Sequence, residues 1–171
     1  GNSPREFTPD RVRDRRSAMT TTNGTCALRA AGRARRALVT ALINLQATAD
    51  EIRRDPPANL LLIGAGTHEE AALEDVLAAG ALCDRVWYLY GKGHVADSAL
   101  MALQLYRQHQ ADLPAAVRLA QNARRLLAQP ELRDDVDAAL RIDSAPILVT
   151  GHPDGTVRPV ALESRPRRGR S

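Results

Sequence analysis

Aromatic side chains, cysteine and lysine are scarce in this chain of 171 residues. Aromatics make up only 3% of the sequence, so a hydrophobic core has to be built from Ala, Leu and Val. The two cysteines, Cys26 and Cys83, form no CxxC pair, which excludes a disulfide framework and favours a reducing cytoplasm. No apolar run approaches the roughly 20 residues that a membrane-spanning helix needs, and no signal-peptide pattern opens the chain. We therefore expect a cytoplasmic protein without a membrane partner.

Positive charge is carried almost entirely by arginine, because Lys92 is the only lysine. The net charge of +4 could indicate nucleic-acid binding, but many arginines cluster near the two ends of the chain. The run "RPRRGRS" at 165–171 is interrupted by Pro and Gly, and we expect a disordered basic tail there rather than a nucleic-acid partner. With an ordinary hydrophobic content of 44%, residues 1–164 are predicted to form one domain.

Apolar runs of strand length alternate with amphipathic stretches of helix length along the chain. This alternation predicts a layered α/β/α domain with a mostly parallel sheet. The run "NLLLIGAG" at 59–66 is the clearest strand, because an unbroken apolar run is typical of a parallel strand covered on both faces. Further strands are predicted at 17–22, 36–43 and 85–90, and a closing hairpin at 145–151 and 156–162. Helices are predicted at 26–34, 45–54, 67–82, 95–109, 113–128 and 130–141.

Small polar residues follow the first predicted strand in the sequence "TTNGT" at 21–25. Ligands of parallel α/β folds bind at the carboxyl ends of strands, where the next helix begins with free N–H groups that attract anions. Thr22, Asn23 and Thr25 would add neutral donors there, and Gly24 would let a ligand approach the backbone closely. The alternative is an Asn-Gly turn with a threonine helix cap, and the spacing alone favours that alternative.

Two other predicted strand ends also carry polar residues. Asn44 ends the strand at 36–43, where it is either a ligand-binding residue or the N-cap of the following helix. The sequence "GAGTHE" at 64–69 begins like the dinucleotide-binding pattern G-x-G-x-x-G, but Glu69 stands where the third glycine is required. The sequence therefore excludes a dinucleotide-binding loop of that kind.

The helix predicted at 67–82 is acidic in its first half. Thr67 and Glu70 have the spacing of a capping box, which places the start of the helix at Thr67. Glu74 and Asp75 follow, and they are not expected to chelate one ion together, because adjacent helical residues do not face each other. A single carboxylate near the ligand end of a sheet could hold Mg²⁺ together with waters and phosphate oxygens. The alternative is an acidic face that stabilises the positive end of the helix dipole.

Several segments occur in an order that is found in one protein family. They are "GNSP" (1–4), "TTNGT" (21–25), the strand that ends in Asn44, "GAG" (64–66), "LEDVLAAGAL" (73–82) and "DSALMALQLY" (97–106). From Gly1 to about Leu162 the chain resembles the 2-phosphosulfolactate phosphatases. This resemblance implies a Mg²⁺-dependent phosphatase of coenzyme M biosynthesis, which hydrolyses 2-phosphosulfolactate, or a related small acidic phosphate monoester, to 3-sulfolactate and phosphate.

The resemblance also implies which residues form the site. Glu74 and Asp75 would be the catalytic carboxylates, and Glu74 would contribute to the Mg²⁺ site. The substrate, a small phosphorylated acid, would be the main partner, and a homo-oligomer is a further possibility. The substrate-binding residues would be Asn2, Ser3, Thr22, Asn23, Thr25 and Asn44.

The chain departs from the family pattern in three respects. Family members carry a further segment before "GNSP", so we expect a chain that is truncated at its amino terminus and exposes a sheet edge. Cys26 stands where a basic residue often follows "TTNGT", and Asn122 stands where a histidine is expected in the helix around 118–126. These departures leave open the alternative of a truncated or degenerate member that binds an anion without catalysis.

Overall fold

The computed structural model describes residues 3–21, 23–68 and 70–160, and most of the regular structure there is helical. The helices are α1 (Pro9–Val12), α2 (Gly24–Ala31), α3 (Leu45–Arg54), α4 (Leu73–Tyr90), α5 (Asp97–His109), α6 (Leu113–Arg118), α7 (Gln121–Leu127) and α8 (Arg133–Ala139). The strands are β1 (Ala37–Leu38), β2 (Leu148–Gly151) and β3 (Val157–Val160). Single turns of 3₁₀ helix lie at Pro4–Glu6, Leu42–Asn44, Gln110–Asp112 and Pro130–Leu132. The predicted tail at 165–171 lies outside the described residues.

The described strands form a three-stranded sheet in the order β1–β2–β3, and both pairings are antiparallel. Leu38 lies opposite Thr150, and Leu148 lies opposite Val160. The prediction of a layered α/β/α domain with a mostly parallel sheet is therefore wrong. Its premise was that unbroken apolar runs are parallel strands, whereas in the structure these runs lie largely in a helix or in segments outside the sheet.

The apolar run at 59–66, the clearest predicted strand, belongs to no helix or strand of the structure. Leu60 and Leu62 pack against the hydrophobic core, whereas Leu61 is 79% exposed and Ile63 is 44% exposed. Such alternation is the burial pattern of a half-covered strand. No strand within the described residues pairs with this run, so the ladder of hydrogen bonds that defines a strand is missing.

The predicted strand at 85–90 is instead the second half of α4. No glycine or proline lies between 82 and 85, so the helix continues past the buried Leu82 and also buries Val86. The start of α4 differs as well, because Thr67 and Glu70 pair with each other through two backbone hydrogen bonds. The predicted capping box is therefore absent, and the helix begins at Leu73.

Other predicted elements are closer to the structure. α3 coincides with the helix predicted at 45–54, and α5 to α8 occupy the predicted helical region at 95–141. β2 and β3 form the predicted closing hairpin. The strand predicted at 36–43 shortens to β1, because a 3₁₀ turn begins at Leu42, and the described residues 17–21 form no strand.

The hydrophobic core lies between α3, α4 and the shorter helices α6 to α8. Leu45, Ile52, Leu77 and Leu82 are among its almost completely buried side chains. α5 crosses α4 at Gly80, where an added Cβ atom would clash with the Ala102 carbonyl and lie 2.7 Å from the Cβ of Tyr106. The absence of a side chain at this position lets the two helices approach each other closely, and it fixes α4 and its polar first turn in the fold.

Candidate functional site

Polar side chains from α2, α4 and α7 meet at the loop that precedes α4. We call residues 64–68, with the sequence "GAGTH", the GAG loop. The first turn of α4 supplies Glu74 and Asp75, the N-terminus of α2 supplies Asn23, and the first turn of α7 supplies Asn122. Hydrogen bonds to Gly66, Thr67 and His68 connect these helices to the loop.

Asn122 links the GAG loop to the first turn of α4. Its side-chain nitrogen Nδ2 donates to the Thr67 hydroxyl oxygen at 2.6 Å and to Glu74 Oε1 at 2.7 Å. The bonds span 55 and 48 residues of sequence, respectively. All three side chains are partly buried, so solvent has limited access to these bonds. Glu74, a predicted catalytic and metal-binding residue, is thus held from the side by an amide.

Asp75, the other predicted catalytic residue, points back towards the loop. Its Oδ2 atom accepts a hydrogen bond from the Gly66 backbone N–H at 2.7 Å. Burial raises the pKa of the Asp75 carboxyl above its ordinary value, the Gly66 N–H opposes this shift, and the negative charge of Glu74 adds to it. Glu74 and Asp75 therefore point to different partners, as expected for adjacent helical residues, but their charges still interact.

The backbone of the GAG loop adopts left-handed conformations at two positions. Gly66 has a φ of 69° and His68 has a φ of 51°. An added Cβ atom at Gly66 would lie 2.7 Å from the Glu70 carbonyl oxygen, so this turn requires glycine for two reasons. His68 adopts a conformation that is uncommon for a residue with a side chain, and its backbone N–H donates to Asn23 Oδ1 at 3.4 Å.

The "TTNGT" segment divides its roles between helix capping and contact with the loop. The Thr25 backbone N–H donates to the Thr21 hydroxyl oxygen at 3.2 Å, and the Thr25 hydroxyl donates to the Thr21 carbonyl at 2.8 Å. These bonds agree with the threonine cap that the sequence offered as an alternative. Asn23 makes no such cap with its side chain and reaches His68 instead. Thr22 lies outside the described residues.

The side chain of Asn44 is buried and makes its hydrogen bonds to backbone groups. Its Oδ1 atom accepts from the Ala41 N–H at 2.8 Å, and Nδ2 donates to the carbonyls of Val39 at 3.1 Å and Ile147 at 3.2 Å. The side chain thus connects the residues next to β1 and α3 with the segment that leads into β2. Its predicted contact with substrate stays a prediction.

Ser3 lies against α8. Its hydroxyl donates to Asp135 Oδ1 at 2.8 Å and accepts from the Arg5 backbone N–H at 3.3 Å. Arg5 also forms an ion pair with Asp134 at 2.9 Å, which attaches the first described residues to α8. The hydrogen bonds of Ser3 thus go to α8 and to its own turn rather than to the GAG loop. Asn2 lies outside the described residues.

The donor set at the GAG loop allows only a sparse metal site. Within the residues that the structure describes, no group of three or more His, Cys, Asp or Glu side chains could hold a metal ion. Mg²⁺ needs fewer protein ligands, since it is commonly bound by one or two carboxylates, with waters and phosphate oxygens completing its shell. Glu74 fits this requirement, because a hydrogen bond to one of its oxygens leaves the carboxylate further acceptor capacity.

Sequence reasoning did not identify Thr67 and Asn122 as a connected pair. Thr67 was assigned to a capping box, and Asn122 was noted only as a departure from a family pattern. The sequence contains no signal for this pair, because the helix predicted at 113–128 places Asn122 in a helix interior, whereas in the structure α7 begins at Gln121.

The described part of the chain contains no helix that is both long and apolar enough to cross a membrane. No disulfide joins the two cysteines of the described chain, and Cys26 is exposed whereas Cys83 is buried.

Comparison with known proteins gives a consistent result. The chain matches the family model for 2-phosphosulpholactate phosphatase over residues 1–152. It is 40% identical over 147 residues to "Probable 2-phosphosulfolactate phosphatase" of Synechococcus sp. strain JA-3-3Ab, covering 84% of this chain and 59% of that relative. It is 34% identical over 160 residues to the protein of the same name from Synechococcus sp. strain CC9605, covering 92% of this chain and 66% of that relative. The chain thus spans less than two thirds of the length of these relatives.

Proposed function

Since the chain belongs to the 2-phosphosulpholactate phosphatase family, we propose that it hydrolyses a small acidic phosphate monoester at the GAG loop. The proposed substrate is 2-phosphosulfolactate, the compound in the names of its relatives, and the products are 3-sulfolactate and phosphate. The observation that carries this proposal is the meeting of Glu74, Asp75, Asn122 and Asn23 around one loop.

In the proposed reaction, water attacks phosphorus and the bond from phosphorus to the ester oxygen breaks. The oxygen that leaves with sulfolactate must gain a proton, and the attacking water gives up one, which restores the acid through the solvent. Asp75 is suited to supply it, because a carboxyl group whose pKa is raised by burial keeps its proton to a higher pH than an exposed aspartic acid. The Gly66 N–H holds the Asp75 carboxyl in place during this exchange.

The same proposal assigns Mg²⁺ to Glu74. When bound, the ion would neutralise charge on the phosphoryl group. The amide of Asn122 orients the Glu74 carboxylate. Burial, the largest cause of the raised pKa of Asp75, does not depend on the charge of Glu74. Asn23 would contribute the amide hydrogens of Nδ2 to an anionic oxygen of the substrate, because its Oδ1 faces the His68 N–H.

The resemblance would place this hydrolysis in coenzyme M biosynthesis. Two cysteines that no disulfide joins are in keeping with a reducing compartment such as the cytoplasm. The arginines of the described chain support a partner other than nucleic acid, because several are engaged in ion pairs with nearby carboxylates. These include Arg36, Arg53, Arg54, Arg85, Arg107 and Arg118.

One observation favours the alternative function, anion binding without catalysis. Within the described residues, the carboxylates at the GAG loop belong to no group of three or more possible metal ligands. The two functions differ in their need for Glu74. Catalysis would require its carboxylate, whereas simple anion binding would be strengthened by removal of this negative charge.

The test is release of phosphate from 2-phosphosulfolactate and from a panel of small phosphate esters, with Mg²⁺ and with EDTA. The Synechococcus relative from strain JA-3-3Ab is assayed in parallel. We expect Mg²⁺-dependent turnover that falls roughly 100-fold or more in Glu74→Gln, the scale of loss for a catalytic group. Glu131→Gln, at an exposed position in the 3₁₀ turn at Pro130–Leu132, is the matched control and should keep full activity.

Two results would contradict the proposal. Equal turnover by Glu74→Gln and the parent chain would remove Glu74 from the site. A folded chain that hydrolyses no ester, yet gains thermal stability from inorganic phosphate, would support the alternative of anion binding without catalysis.

A further inference from the structure

We propose that Asn122 is a positioning residue of this site, which orients the Glu74 carboxylate and presents the Thr67 hydroxyl as a donor towards the anionic substrate. This inference rests on the proposed function and adds Thr67 to the residues that would bind the phosphorylated acid. It starts from the two hydrogen bonds that Asn122 Nδ2 donates, at 2.6 Å to Thr67 and at 2.7 Å to Glu74.

The orientation of the Asn122 amide follows from the chemistry of its partners. An ionised carboxylate only accepts hydrogen bonds, so the NH₂ side of the amide has to face Glu74. The reverse orientation would set the carbonyl oxygen of the amide against a carboxylate oxygen. Each of the two amide hydrogens is then donated to one partner, so Glu74 and Thr67 both act as acceptors towards Asn122.

The hydrogen bond from Asn122 determines how the Thr67 hydroxyl can be used. A hydroxyl group has one hydrogen to donate and two lone pairs that accept. Asn122 occupies one of the lone pairs, so the hydrogen of the Thr67 hydroxyl stays available for another acceptor. Since the neighbouring backbone is fixed by the Gly66 and His68 hydrogen bonds, this hydrogen is presented from a loop that is held on both sides. A phosphate or carboxylate oxygen is the class of acceptor that such a donor recognises.

The backbone around Asn122 is rigid enough to hold this geometry. Ala120 and Ala123, which lie on either side of Asn122, are 2% and 5% exposed, respectively, and both belong to the hydrophobic core. On the opposite side, Leu77 follows Glu74 within one helical turn and is completely buried. Asn122 and Glu74, which share one of these hydrogen bonds, therefore both lie on helices that pack against the core.

If Asn122 served only to cap its own helix, it would be expected at the N-cap position. Asparagine at the start of a helix usually caps that helix, but the N-cap of α7 is Ala120, and no side chain caps it. The amide of Asn122 instead makes both of its hydrogen bonds to residues outside its own helix. This use of the side chain is the reason for assigning it to the site.

The experiment compares Asn122→Ala with Gln121→Ala, the preceding and exposed residue of the same helix. We expect Asn122→Ala to lower kcat/KM by 10- to 100-fold, the usual cost of losing a residue that orients a metal or substrate ligand, with little change in Tm. Gln121→Ala should match the parent chain. Asn122→Asp should lose more activity than Asn122→Ala, because it places a second carboxylate against Glu74 although its shape is nearly that of asparagine.

Thr67 variants test the second half of the inference. Thr67→Val keeps the shape of the side chain but removes the hydroxyl, and it should raise KM more than it lowers kcat. Thr67→Ser keeps the hydroxyl and should restore most of the affinity. Because Asn122 acts on substrate partly through Thr67, the effects of Asn122→Ala and Thr67→Val on KM should be less than additive.

The outcomes separate this inference from the proposed function. If the parent chain turns over substrate and Asn122→Ala keeps its kcat, its KM and its pH profile, the inference is wrong while the function stands. If no ester is hydrolysed, titration with inorganic phosphate becomes the readout. Weaker phosphate binding by Asn122→Ala than by Gln121→Ala then supports the inference without the catalytic function, and equal binding by both variants overturns it.

Discussion

Replacement of Gly66 by alanine tests the geometry of the GAG loop most directly. Gly66 has a φ of 69°, and an added Cβ atom would lie 2.7 Å from the Glu70 carbonyl oxygen. Gly64, two positions earlier in the same loop, has no such restriction. Its added Cβ atom would lie 3.4 Å from the Cβ of Asp75, which is ordinary contact. The same chemical change at these two glycines should therefore have different results.

The expected cost of Gly66→Ala has two parts. A left-handed backbone costs about 1–2 kcal/mol for a residue that carries a Cβ atom. Relief of the contact with Glu70 then requires the turn to open by a few tenths of an ångström and weakens the bond between the Gly66 N–H and Asp75. We expect a total loss of about 2 kcal/mol in the free energy of unfolding, which lowers Tm by roughly 4–8 °C in a chain of this size. Gly64→Ala should leave Tm unchanged or raise it slightly, because alanine restricts the unfolded chain.

The assay is urea unfolding of both variants, followed by phosphate release or phosphate titration on the folded proteins. Gly66→Ala should also lose activity or phosphate affinity, because the loop that carries Thr67 has moved. Equal stability and equal activity of the two variants would refute the reasoning, since they would show that the tight turn at Gly66 is unnecessary.

Two further changes test the core and the electrostatics. Gly80→Ala should lower the free energy of unfolding by about 1–3 kcal/mol, because the added methyl group forces α4 and α5 apart. Urea unfolding measures this loss, with Gly93→Ala as the control, since its added Cβ atom would lie 3.4 Å from the Tyr90 carbonyl oxygen. Equal stability of the two variants would contradict the close crossing of the helices. For Asp75→Asn, the pKa of Asp75 is raised in the folded chain, so the unfolded chain releases this proton first as the pH rises above about 4. The free energy of unfolding of the parent chain, relative to that of Asp75→Asn, should therefore fall with rising pH and level off above the folded pKa. Urea unfolding of both proteins across this pH range measures the difference. A difference that stays constant or grows with pH would contradict the raised pKa of Asp75.

The sequence predicted individual helices and the hairpin better than it predicted which distant segments pair with each other. α3 and the closing hairpin depend on contacts and turns that a short segment defines. The apolar run at 59–66 is different, because its alternation of core-facing Leu60 and exposed Leu61 becomes a strand only when a neighbouring strand supplies hydrogen bonds. No periodicity within the run contains that information, and the parallel sheet was inferred from it.

In the candidate site, too, some residues could be predicted from the sequence and others could not. The family resemblance implied Asn23, Glu74 and Asp75 as site residues, and all three lie at the GAG loop. Asn122 joins them from 48 residues beyond Glu74, and no local pattern connects the two positions. The uncapped start of α7 at Gln121 is visible only in the structure, because the sequence predicts one continuous helix at 113–128.

Charge at the GAG loop explains why the magnesium proposal and the phosphatase proposal depend on each other. Glu74 and Asp75 are adjacent carboxylates, and among the ion pairs formed by the described residues, none includes either of them. A phosphate monoester carries about two negative charges near neutral pH, and the dipole of a helix supplies only about half a positive charge at its N-terminus. Neutral donors such as Asn23 and Thr67 orient an anion but do not balance its charge. A divalent cation bound at Glu74 would supply the missing positive charge, so EDTA should weaken substrate binding as well as turnover, whereas a cation that served only the chemical step would leave binding unchanged.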